Sequence, residues 1–184
     1  MHRSLVALVL FAGCGPSAVA PVATETPREE PALEASAPVL AEGTVAIEPV
    51  VCAEGAEEAC NAIDDDCDAL IDEGCEGALS GELVAALAWN GTADVDLVVT
   101  GPVESQPLPS RGGCADPAEP ALERAAIESL APGEYVIELA RAACGDEGPI
   151  TASVSIAVNG RVLGVFNRPL ASGERAPLLT IPVR

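Results

Sequence analysis

The sequence predicts a mainly β protein whose folded part is an antiparallel β-sandwich of the jelly-roll or immunoglobulin-like type. Over residues 78–184, short runs of alternating apolar and polar residues are separated by Asn, Gly and Pro, as in sandwich domains. The chain has 184 residues, which is enough for one domain or a small two-module protein. Apolar residues make up 49% of them. Aromatic residues make up only 2%, so Ala, Val and Leu must form most of the core.

Seven segments of this region have the alternation of half-buried strands. The strongest turn signal is Asn159-Gly160, because both central positions of a type I′ hairpin turn favour these residues. One segment is rich in the helix formers Ala, Leu, Glu and Arg, so a helix over 120–130 is the alternative there. The predicted strands cover 82–89, 94–99, 122–130, 134–140, 150–158, 161–167 and 176–183.

Two stretches of the sandwich region resemble known extracytoplasmic modules. Trp89, the turn Asn90-Gly91 and the acidic strand start 94–97 are similar to a motif of bacterial β-sandwich modules. Residues 129–137 resemble a strand of pre-peptidase C-terminal and related domains. The resemblance implies a β-sandwich fold. The two aspartates of 94–97 are expected to be solvated strand carboxylates, with calcium binding as the alternative.

Residues 1–13 are predicted to be a signal peptide. Their apolar run, 5–12, follows a charged start and is far shorter than the roughly 20 residues that cross a bilayer as a helix. Small residues stand at the two positions before Cys14. This arrangement resembles a bacterial lipobox, with Phe11 at the position where that motif usually has Leu.

The lipobox resemblance implies that Cys14 carries fatty-acyl chains such as palmitate and becomes the first residue of the mature protein. Gly15, rather than Asp, follows it, which in Gram-negative lipoproteins implies sorting to the outer membrane. A lipid-anchored protein that faces the periplasm or the cell surface is therefore expected. An ordinary secretory signal cleaved near Ala18 or Ala20 is the alternative.

Residues 14–51 are predicted to be the lipidated cysteine and a disordered tether. This stretch is rich in Pro, Ala and Glu and has neither the period of a strand nor that of a helix. Repeated Pro blocks both helices and strand pairing, which favours a semi-extended chain of polyproline character. The alternative is that the stretch packs as part of a domain.

Residues 52–77 form a Cys/Asp-rich acidic segment and the predicted metal site. Alternate aspartates can converge on one ion when the loop curls, and calcium takes six to eight oxygen ligands. Ala69 stands where calcium loops usually have Gly, and a left-handed backbone there costs an alanine about 1 kcal/mol. Cys75 stands where a bidentate Glu is usual, so Glu73 is the substitute. The predicted ligands are Asp64, Asp66, Asp68, Leu70 through its backbone carbonyl, Asp72 and Glu73.

The order of residues in this segment resembles the repeat motif of MopE-like proteins, C-N-G-x-D-D-D-C-D-G-x-x-D-E. The resemblance covers residues 52–75 and its matching residues run from Cys60 to Cys75, with Ala62 and Ala69 in place of the two glycines. That family motif carries a copper-binding label. Copper sites favour imidazole, thiolate and thioether ligands, whereas the single His and the single Met lie in the predicted signal. We therefore predict calcium, with copper as the alternative, and a solvated acidic face as the third possibility.

The cysteine count also indicates export. Removing Cys14 from the seven cysteines leaves six, which in an exported chain indicates disulfide bonds. Cys114 and Cys144 are expected to pair, whereas the four clustered cysteines allow three pairings. A tetrathiolate zinc site is the rival, but the spacings lack Cys-x2-Cys pairs. The candidate disulfide cysteines are Cys52, Cys60, Cys67, Cys75, Cys114 and Cys144.

The net charge and the absence of catalytic motifs reduce the number of possible functional classes. The formal net charge of −20 argues against nucleic-acid binding, which needs a basic face. No nucleophile elbow, HExxH or phosphate-binding loop is present, so the chain is predicted not to be an enzyme. The prediction is a calcium-binding envelope lipoprotein whose sandwich contacts an envelope or extracellular protein or a glycan. A copper-handling protein and a purely structural envelope protein are the alternatives.

Overall fold

Ten β-strands in two antiparallel sheets make up the regular structure of the described residues. The computed structural model describes residues 33–47, 52–107, 114, 121–144 and 148–184. The predicted signal peptide, Cys14 and the first part of the predicted tether lie outside these ranges. The strands are β1 (Val39–Leu40), β2 (Val45–Ile47), β3 (Leu83–Trp89), β4 (Val95–Thr100), β5 (Gln106–Pro107), β6 (Leu122–Ile127), β7 (Gly133–Arg141), β8 (Ile150–Val158), β9 (Arg161–Leu170) and β10 (Arg175–Val183).

The two sheets enclose the main core. Sheet A has the strand order β1-β10-β7-β4, and sheet B has the order β2-β9-β8-β3-β6-β5. On β3, Leu83, Ala85 and Leu87 point into this core, which they share with residues of sheet A such as Ile137 and Leu139 on β7. The alternate residues of β3 point to the opposite face of sheet B. The prediction of a mainly β fold with antiparallel sheets is therefore confirmed.

The turn signals lead to two kinds of connection. Asn159 and Gly160 have φ values of 50° and 68° and join β8 to β9 in a hairpin, as predicted. Asn90-Gly91 and residues 131–133 instead connect strands of different sheets, β3 to β4 and β6 to β7. The buried Tyr135 stabilises the turn before β7. Its hydroxyl accepts a hydrogen bond from the N–H of Ala131 and donates one to the carbonyl of the same residue.

Part of the predicted tether belongs to the fold. Residues 33–47 were expected to be disordered, but they contain strands that pair with both sheets. Ala35 bridges to Val183, β1 pairs with β10, and β2 pairs with β9. These short strands cover ladder groups at the edges of both sheets. Their side chains are exposed, Val39 and Val45 by 62% each, so no alternation of burial marks them in the sequence.

Residues 122–127 form a strand, β6, rather than the alternative helix, because they pair along their whole length with β3. β5 was not expected; it lies in the Pro-rich loop and pairs with β6 at two positions. Within the described part of the chain, no helix is both long enough and apolar enough to cross a membrane.

Candidate metal centre

Two interleaved disulfides close the acidic segment. Cys52 bonds Cys67 and Cys60 bonds Cys75, each across a sequence separation of 15 residues. A third bond joins Cys114 to Cys144 in the sandwich, as predicted. Because all six sulfurs are oxidised, the tetrathiolate zinc alternative is wrong and these cysteines provide no thiolate ligand.

The aspartates curl the loop between the disulfides. Asp64 accepts hydrogen bonds from the N–H groups of Cys67, at 2.8 Å, and Ala69, at 3.1 Å. Asp66 accepts from Asp68 N at 3.0 Å. Such bonds from a side chain to a backbone group two to five residues further on stabilise turns. Ala69 has a φ of 70°, so it takes the left-handed conformation expected from the loop pattern.

This curled backbone brings carboxylates together in two groups. Asp64, Asp66 and Asp68 each offer one oxygen, and these oxygens lie within 4.8 Å of one another. Glu58, Asp66 and Glu73 form a second group by the same measure. Asp66 belongs to both groups, which together contain five carboxylates.

The electrostatics of the second group are those of crowded carboxylates. Burial raises the pKa of Glu73, and the charges of Glu58, Asp68 and Asp66 raise it further. Burial also raises the pKa of Glu58, although three backbone N–H groups oppose that shift. The Oε2 atom of Glu73 is buried without a hydrogen-bond partner. A divalent cation would relieve the repulsion and satisfy this oxygen.

Asp72, a predicted ligand, is placed elsewhere. It is completely buried, and its carboxylate forms an ion pair of 2.8 Å with Arg124 of β6. It also accepts the N–H groups of Asn61, at 2.8 Å, and Ala62, at 3.0 Å. Asp72 therefore lies outside the two groups of carboxylates, and its charge is paired with the buried guanidinium of Arg124.

Leu70 contacts the first group of aspartates through its backbone. The N–H of Leu70 donates to Asp68 at 2.8 Å, and its side chain is 48% exposed. Glu58 is a member of the second group that the sequence analysis missed. It precedes the aspartate pattern and has no diagnostic spacing; its only signal is its position two residues before Cys60.

The acidic segment packs on the outer face of sheet B. Ala62 and Ile71, each 2% exposed, form a small apolar cluster with Val84, Ala86 and other small residues of that face. The hydroxyl of Ser155 on β8 donates to the carbonyl of Ala62. The predicted metal loop is thus part of the sandwich's surface.

A separate acidic group lies where the edge strand β4 of sheet A meets β6 of sheet B. Burial raises the pKa of Glu123 to about 7, the N–H of Leu97 opposes this shift, and the charges of Asp96 and Asp94 add to it. The strand pattern of the sequence indicates the two aspartates but not Glu123. Asp94 also lies near Cys114 and Cys144, but that disulfide offers no thiolate.

Comparisons with protein-family models, curated proteins and solved structures find no match to this chain. The resemblances to MopE-like proteins and to pre-peptidase C-terminal domains therefore stay predictions. The conclusions about function below depend on the geometry and chemistry of the residues alone.

Proposed function

We propose that this chain is a cell-envelope protein whose disulfide-bonded acidic loop binds a calcium ion. The observation that carries this proposal is the position of Asp66, which belongs to both groups of converging carboxylates. The buried, unpartnered Oε2 of Glu73 in one of these groups supports it further, because a cation would supply the missing contact.

The donor chemistry favours calcium over copper. The five converging groups are all carboxylates, which hard cations such as calcium prefer. The six cysteines of the described residues are in disulfides, and copper would require softer ligands. The loop offers five carboxylates from Glu58, Asp64, Asp66, Asp68 and Glu73, so a bound divalent ion offsets only part of the local charge.

Calcium would act on the sandwich as well as on the loop. The loop covers an apolar patch of sheet B, so an ion that orders the loop also holds this cover in place. We propose that the protein works by binding rather than by catalysis, with an envelope or extracellular protein or a glycan as the partner.

Lipid anchoring at Cys14 is the second part of the proposal. Six of the seven cysteines pair with one another, which leaves Cys14 as the odd one in the count. An anchor in the outer membrane would place the acidic loop in an oxidising compartment. Cys14→Ala should leave an unprocessed precursor in cells; normal maturation of this variant would refute the anchor.

Calcium binding is tested by calorimetry on the full-length chain made as Cys14→Ser in an oxidising compartment. We expect a dissociation constant of roughly 10⁻⁵ to 10⁻³ M and an increase in thermal midpoint with calcium. Asp66→Asn should abolish both, because it removes a carboxylate from both groups. Asp65→Asn is the matched control, since the Asp65 side chain bonds Ala59 and Asn61 outside the two groups.

Three results separate the candidates. Calcium binding that Asp66→Asn removes and Asp65→Asn retains supports the proposal. Tight copper binding with weak calcium binding would support the copper-handling alternative instead. A thermal midpoint that changes with neither calcium nor chelator would mean that the loop is a solvated acidic face in a structural protein.

A further inference from the structure

We propose that Arg124 of β6 is a positioning residue for the calcium loop, so that calcium affinity depends on a sheet residue that touches none of the converging carboxylates. This inference rests on the proposed calcium binding. The juxtaposition that carries it is the buried pair of Arg124, 5% exposed, and Asp72, 0% exposed. The two residues are 52 positions apart in the sequence and belong to different parts of the fold.

Arg124 holds the loop at two points. Its Nη2 and Nε atoms donate to Oδ2 of Asp72, at 2.8 and 3.3 Å, and its Nη1 donates to the carbonyl of Glu76 at 3.3 Å. A planar guanidinium can make these bonds together, whereas the ammonium of a lysine cannot reproduce the fork. The two contacts lie on either side of Glu73 in the sequence and so fix the ends of the short stretch that carries this carboxylate.

Asp72 passes this constraint on to the other members of the second group. Its own N–H donates to Oε2 of Glu58 at 3.0 Å, and its carboxylate holds the N–H groups of Asn61 and Ala62. Glu58 and Glu73 both belong to the group that includes Asp66. Outer contacts of this kind orient metal ligands and affect affinity without touching the ion.

The position of Arg124 on the sheet makes the constraint rigid. It pairs in register with Ala86 of the central strand β3, and its neighbours on this outer face, Val84 and Ala126, are in the apolar cluster that the loop covers. The loop is therefore oriented by a residue that the ladder itself fixes. Since coupling is reciprocal, calcium in the loop should in turn tighten the contact with sheet B.

The test measures calcium binding by calorimetry at a temperature where every variant is folded. Arg124→Gln should raise the calcium dissociation constant about tenfold, as expected for the loss of an outer-shell partner. Arg124→Lys, which keeps the charge but not the fork, should give a smaller increase. Arg175→Gln is the matched control, because it removes an arginine from an ion pair with Glu138 on sheet A.

A second control separates positioning from loss of stability. Val154→Ala creates a cavity in the main core, where Val154 is completely buried, and should lower the thermal midpoint without changing the calcium dissociation constant. If Arg124→Gln does not fold, Arg124→Lys decides: weaker calcium binding supports the inference, and unchanged binding overturns it.

The possible failures are distinguishable. If the wild-type chain binds no calcium, the proposed function fails and this inference fails with it. If the wild-type chain binds calcium and a folded Arg124 variant binds it equally well, only the inference fails and Arg124 merely docks the loop.

Discussion

The sandwich core and the acidic loop are stabilised in opposite ways. In the core, ladder hydrogen bonds and completely buried side chains such as Leu139 and Ile156 hold the strands. In the loop, most backbone N–H groups that are bonded donate to carboxylates, and two disulfides replace a core. Of the six described non-glycine residues with positive φ, five lie between Cys60 and Asp72.

This difference shows where a ligand can change stability. The core needs no ion for its stability, because its apolar residues pack against one another. The loop concentrates like charges and left-handed residues, which both raise its free energy. A cation therefore has more to contribute in the loop than anywhere in the sandwich, and changes to the two regions should respond differently to calcium.

Removing one disulfide from each region gives the largest expected losses of stability. The double variant Cys60→Ser/Cys75→Ser removes a disulfide that spans 15 residues, and its free energy of unfolding should fall by about 3 kcal/mol on the chain-entropy model. Cys114→Ser/Cys144→Ser opens a separation of 30 residues and should cost about 3.5 kcal/mol. Urea unfolding in excess chelator should therefore give similar losses in free energy of unfolding.

Calcium should then separate the two disulfide variants. At a concentration 100 times its dissociation constant, calcium adds about 2.7 kcal/mol to the free energy of unfolding. The sandwich variant should keep this increment, because Cys114 and Cys144 lie outside the acidic loop. The loop variant should lose most of it, since Cys60 and Cys75 lie near Glu58 and Glu73. An undiminished increment in the loop variant would mean that the disulfides do not shape the site.

Acid should stabilise the sandwich through Glu123 but weaken calcium binding by the loop. The pKa of Glu123 is about 7 in the folded protein, against an ordinary value of 4.5, so the folded state binds this proton more tightly. Its contribution to stability is therefore largest below pH 4.5 and is lost as the pH rises to about 7. In the loop, protons compete with calcium for Glu58 and Glu73, so calcium binding should weaken as the pH falls.

Glu123→Gln tests the first half of this contrast in chelator. From pH 5 to 8, this variant should gain stability relative to wild type, by less than about 1.4 kcal/mol per pH unit, the slope of one fully linked proton. An amide oxygen can still accept the N–H of Leu97. Glu134→Gln, on an exposed residue of β7, is the control and should run parallel to wild type. Parallel curves for Glu123→Gln would show that its proton is not linked to folding.

The sequence was most informative where burial has a period. All seven predicted strands are present. Along these strands, buried residues such as Leu97 and Leu139 alternate with more exposed ones, and this alternation is visible in the sequence. β1 and β2 are two and three residues long and wholly exposed, so no pattern of burial distinguishes them from a tether. These strands form because they pair with β10 and β9, which are more than 100 residues away in the sequence. The local sequence therefore carries no signal of this pairing.

The candidate site was predictable only in its local part. The spacing of Asp64, Asp66 and Asp68 was enough to expect that they converge. Glu58 was missed, since it precedes the aspartate pattern and is held beside it by N–H groups of Asp65, Asp66 and Asp72. Asp72 was assigned to the ion by its place in the loop, but Arg124 is too distant in the sequence for any periodicity to indicate the pair.

The smallest prediction concerns the strain in the loop backbone. The resemblance to the MopE-like motif places Gly where this chain has Ala69, and Ala69 has a φ of 70°. Ala69→Gly should therefore raise the free energy of unfolding by about 0.5 kcal/mol, the left-handed penalty less the added entropy of the unfolded chain. Ala53→Gly, in the same segment but without positive φ, should lower it. Urea unfolding in chelator measures both, and a loss of stability in Ala69→Gly would mean that the alanine methyl contributes more by packing than its backbone costs.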